Sequence, residues 1–84
     1  MGPPLDELSK RVLRLLLERK VVSGWEIASA VGGAEHIKAA VEPLTARDFV
    51  DFSGDLNDPE RMLKSFVNLK PSAVATAKQI LTAS

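Results

Sequence analysis

The residues that could do chemistry in this chain are few, and most lie between positions 34 and 64. Asp48 with Asp51, and Asp55 with Asp58, are spaced as two carboxylates of a metal loop or an acid–base pair would be. Neither pair carries the glycine and closing glutamate of a calcium loop. Both fall on strand and loop positions, where carboxylates are commonly just solvated. Gly32-Gly33 lacks the further glycines and the lysine of a phosphate-binding loop. There is no cysteine, which excludes disulfides, zinc–thiolate sites and thiol catalysis. A single histidine, His36, excludes a histidine-rich metal site. The sequence therefore predicts no enzyme, no metal and no cofactor, and leaves binding as the function to look for.

The elements around these residues follow from hydrophobic spacing. Pro3 and Pro4 suit the opening of a helix, where a missing N–H costs little, and Asp6 and Glu7 suit its positive end. Leu5, Leu8, Val12, Leu15 and Leu16 form one apolar stripe that runs to Arg19 and Lys20. Leu13 and Leu17 lie off that stripe, so the helix either packs on two sides or offers a dimer face. Val21-Val22 is a short β-branched pair suited to a sheet edge. Ser23-Gly24-Trp25-Glu26 fits a capping box opening a short helix with Trp25, Ile27, Ala28 and Val31 as its apolar positions. Core packing is the expected role of Trp25, with an exposed partner contact as the other reading.

Gly32-Gly33 ends that helix, and a third runs from about 34 to 46. Ile37, Ala40, Val41 and Leu44 are its inner stripe, and Glu35, His36, Lys38, Ala39 and Glu42 its outer face. Pro43 should bend it, or end it by Glu42. Residues 49–53 and 65–69 alternate as strands, joined by a loop long for a hairpin, in which Asp58-Pro59-Glu60 could start a helical turn. Pro71 opens a last helix with Val74, Ala77, Ile80 and Leu81 inward. The expected core is Leu8, Val12, Leu15, Trp25, Ile27 or Ala28, Val31, Ile37, Val41, Leu44, Phe52, Val67 and Leu69.

Eighty-four residues suffice for one domain with a modest core, here taken as residues 1–84. The formal charge is zero but uneven. Residues 1–20 have a surplus of two bases, residues 45–60 a surplus of four acids, and residues 61–84 four bases and no acid. No apolar run approaches the ~20 residues of a membrane span. The first residues lack the basic start and apolar stretch of a signal peptide, and Asp6 stands where a myristoylation motif takes Ser or Thr. The chain reads as cytoplasmic.

The order helix, short strand, helix, helix, strand, long loop, strand, helix resembles the winged helix-turn-helix domain, most closely the MarR- and ArsR-type bacterial and archaeal regulators. The resemblance spans nearly the whole chain and is carried by VVSGWEIASAVGGAEHIKAAVEPLTARDFVDF and SFVNLKPSAVATAKQIL. It implies an α+β fold, mainly α, with a three-helix core, a short antiparallel β-hairpin wing and a C-terminal helix. It further implies a transcription regulator whose helix 34–46 enters the major groove of double-stranded DNA, with the loop 54–64 as the wing. On that resemblance Glu35, His36, Lys38, Ala39 and Glu42 would face bases or phosphates. Ser23 would hold a phosphate at the start of its helix, and Arg47, Arg61 and Lys64 would lie along the backbone. The family often places Ser, Thr, Arg or Gln on the reading face, whereas this chain has two glutamates. The other function open to this fold is a protein-interaction module with no DNA binding, which the neutral charge favours because phosphate neutralisation supplies most non-specific DNA affinity. The frequency of DNA binders in the family the chain resembles favours the regulator, and a regulator is the expectation. Leu13, Leu17 and the alanine-rich last helix are the surface expected for a homodimer or a protein partner.

Overall fold

A computed structural model describes residues 5–83, so Pro3 and Pro4 lie outside the described residues. The chain is mainly helical, with a small antiparallel sheet. The helices are α1 (Glu7–Arg19), α2 (Gly24–Val31), α3 (Ile37–Ala46), α4 (Pro59–Leu63) and α5 (Val74–Ala83). The strands are β1 (Val21–Ser23), β2 (Val50–Phe52) and β3 (Phe66–Leu69), and short 3-10 turns precede α3 and α5. The sheet order is β1-β3-β2, with Val22 opposite Val67 and Asp51 opposite Asn68. The pairing of residues 49–53 with 65–69 expected from their alternation is therefore present. The arrangement is an α+β fold compatible with a winged helix.

Capping chemistry sets the helix starts. Asp6 caps α1 by accepting from the Ser9 amide at 2.8 Å, so it stands one position before the helix rather than inside its first turn. Ser23 caps α2 by accepting from the Glu26 amide at 3.2 Å. The reciprocal half of the expected capping box is replaced by an ion pair, Glu26 to Arg19 at 2.6 Å. Gly32, at φ 89°, closes α2 in the left-handed region. Pro43 stands inside α3, which continues to Ala46 rather than ending at Glu42.

The core differs from the expected list in ways the helical wheel explains. α1 buries Ser9, Val12, Leu13 and Leu16, with Leu5 buried just ahead of its cap, while Leu8 and Leu15 are only partly buried. Leu13 is fully buried, which removes it from any dimer face, and Leu17 packs partly against the same core. The two-sided packing of α1 is thus satisfied within the chain, chiefly against α3 and then α2 and α5. Ser9 is a polar member of this core: its hydroxyl donates to the Ala40 carbonyl at 2.8 Å and joins α1 to α3. Trp25 is not in the core. It is 65% exposed, because α2 turns Gly24, Ile27, Ala28 and Val31 inward and Trp25 falls off that stripe. Phe52 is half-buried against the core, and Met62 on α4 is fully buried.

Candidate interaction surfaces

The surface around α3 carries the residues that the family resemblance assigned to DNA. Glu35 and His36 belong to the 3-10 turn Ala34–His36, exposed, with their side chains 3.8 Å apart. Lys38, Ala39 and Glu42 are exposed on α3, so the expected outer face exists as one face. Ser23 sits apart from it, half-buried, with its hydroxyl oxygen taken by the α2 cap.

The loop after β2 does not project. Asp58 accepts from the Arg61 amide at 3.3 Å and so starts α4, the helical turn that Asp58-Pro59-Glu60 suggested. α4 packs against α2, α3 and the turn Ala34–His36. Its seat depends on Gly24: a Cβ there would collide with the backbone of Met62 and Leu63. The loop thereby folds back over the start of the helix it was expected to flank. Lys38 donates to the Asn57 side chain at 2.9 Å, and Arg61 pairs with Asp58 at 3.5 Å. Arg47 is half-buried and has a partner of its own. Lys64, at the end of α4, is exposed. Residues 34–64 carry seven acids against four bases, and three of those four bases are already engaged.

A second surface lies on the outer face of the sheet, and sequence reasoning did not assemble it. The exposed large apolar side chains among the described residues are Val21, Trp25 and Phe66, at 47%, 65% and 60%. Phe66 stands opposite Ser23, and the Gly24 amide donates to the Ser65 carbonyl at 2.9 Å, which brings Trp25 and Phe66 to neighbouring backbone positions. Val21 lies two residues from Ser23 on the same face. The signal was present in the alternation of Phe66-Val67-Asn68-Leu69: with Val67 and Leu69 inward, Phe66 faces out.

Among the described residues no group of three or more His, Asp or Glu side chains gathers as a metal site would, and no helix is long and apolar enough to cross a membrane. Comparison with family models, with curated proteins and with solved structures finds no match to this chain.

Proposed function

We propose that this chain is a winged helix-turn-helix used for binding protein rather than for reading duplex DNA. The winged-helix reading is supported by the β1-β3-β2 order, by α2 and α3 joined through Gly32-Gly33, and by a β2–β3 pair where the wing would be. In this version the wing is replaced by α4, folded onto α3.

The observation that carries the protein-binding reading is where the exposed apolar area sits. Val21 and Phe66 share the outer face of the sheet, the exposed Trp25 follows directly after the Gly24–Ser65 backbone bond, and tryptophan and phenylalanine are the side chains that anchor protein interfaces. The α3 surface and its covering loop, by contrast, offer more acid than base, and Lys38, Arg47 and Arg61 are engaged within the protein. Phosphate contacts need free cations, since each neutralised phosphate contributes about −0.9 to the slope of log affinity against log salt.

Duplex DNA remains the second reading, favoured by the joint exposure of Glu35 and His36 on the 3-10 turn and of Lys38, Ala39 and Glu42 on the helix that follows it. The two part in a titration with duplex DNA at low salt, followed by backbone amide shifts. The protein-binding reading expects residues 34–42 and 54–64 to stay unmoved. Saturable shifts in both stretches would overturn it in favour of a DNA-binding regulator.

A further inference from the structure

β1 is an edge strand with unused backbone groups. It pairs with β3 alone. The Leu69 amide donates to the Lys20 carbonyl and the Gly24 amide to the Ser65 carbonyl, both at 2.9 Å. In an antiparallel ladder these bonded pairs alternate with unbonded ones. Lys20, Val22 and Gly24 therefore face β3, and the amides of Val21 and Ser23 point outward along the free edge. Exposed edges of this kind accept an added strand from another chain.

The flanks of that edge are basic. Lys20 sits at its start, and Lys64, at the end of α4, precedes by two residues the Phe66 that pairs with Ser23 at the other end of β1. Both are exposed, and among the described residues neither forms an ion pair or a side-chain hydrogen bond. Of the neighbouring acids Glu26 is matched by Arg19, while Glu18 and Glu60 are exposed, on the helices that precede Lys20 and Lys64. Asp51 shares the outer face but stands on β2, beyond β3. The three exposed apolar side chains offer on the order of 400 Å², given the ~150–250 Å² that a fully buried aromatic contributes. That is about half of the ~800 Å² per partner in a stable protein interface, too little for a second copy to hold by this patch alone.

We propose that the β1 edge binds an extended acidic segment of a partner protein. The segment adds a strand beside Val21–Ser23, lays alternate apolar side chains on Val21, Trp25 and Phe66, and sets its carboxylates against Lys20 and Lys64. This deepens the protein-binding reading and rests on it. The short edge supplies few main-chain bonds, so binding is weak, with a Kd on the order of 10–100 µM.

The probe is a synthetic heptapeptide alternating Asp with Val and Leu, titrated into the full chain and followed by amide shifts and by the fluorescence of Trp25. The expected result is saturable binding with shifts at residues 20–25 and 64–68. Lys20→Glu with Lys64→Glu should weaken it at least tenfold, Trp25→Ala should weaken it independently, and a heptapeptide with Lys in place of Asp should bind at least tenfold more weakly. No binding up to millimolar peptide overturns the proposal, as does equal binding of the lysine peptide. Shifts confined to residues 34–42 overturn the edge site while sparing the protein-binding reading; that reading fails separately, in the duplex titration. Sedimentation at tens of micromolar should show a monomer, and a dimer abolished by Trp25→Ala would give the patch to a second copy instead.

Discussion

Gly24 is the residue on which the unusual shape of this chain turns. It opens α2 and leaves room for the backbone of α4 to pass directly against it. Gly24→Ala should lower stability by at least about 1–3 kcal/mol, the cost of forcing atoms into a packed site, seen as a lower melting temperature. Its amide exchange should rise first in residues 59–63, since α4 is the element displaced. Leu44 and Leu13 are both fully buried, so Leu44→Ala or Leu13→Ala should each cost about 2–5 kcal/mol. Trp25→Ala should stay within about 0.5 kcal/mol, as an exposed position with no buried role. That contrast inverts the ranking that residue type alone suggests. It was legible in part: Gly24, Ile27, Ala28 and Val31 have the spacing of an inner stripe, and Trp25 does not belong to it. Lys70 gives the one clear pH expectation. Its hydrogen bond to Asp48 holds the amine above its ordinary value of 10.5. A raised folded value means that its contribution is complete at neutral pH and fades only as pH rises past that range. Both side chains are solvent-facing, so the effect on stability is small, and an alkaline titration of the Lys70 amine should show the shift directly.

At the scale of elements, helix stripes and strand alternation located α1, α2, α3, α5 and the β2–β3 pair. They located them because one buried face imposes a period on the sequence. What the period could not reveal was which of two adjacent stripes on α1 faces the core. Leu13 and Leu8 are both leucines, and only the position of α3 decides between them. Nor could it reveal that α4 lies on α3, because that contact depends on a glycine in α2, some 40 residues earlier in the chain. Pro43 is the element-level test. It deletes one backbone bond in the interior of α3 without stopping the helix. Pro43→Ala should restore that bond and raise stability, by up to about 3 kcal/mol on helix propensity, with the gain read from chemical denaturation. Asn57→Ala should free Lys38 without loss of fold, because that hydrogen bond lies at the surface.

At the scale of the whole molecule, the proposed protein-binding role rests on how charge and apolar area are distributed. The chain is neutral overall, but the acids concentrate around α3 and its covering loop, while Lys20 and Lys64, near the ends of the β1–β3 pair, carry no salt bridge among the described residues. The presence of α3 and its exposed face was legible in the sequence, but the expected start at residue 34 was not right, since Ala34–His36 form a 3-10 turn and the α-helix begins at Ile37. The state of that face was not, since the engagement of Lys38 and Arg61 and the covering of the helix start are products of tertiary packing. The central claim is that the α3 face is not a duplex reader. Its most direct test is a titration of the full chain with duplex DNA across a range of salt, followed by amide shifts and affinity. The account predicts no saturable shift at residues 34–42 or 54–64, even at low salt. Saturable shifts in both stretches, with log affinity falling against log salt at a slope of roughly −3 to −4 as three or four phosphate contacts would give, would contradict it.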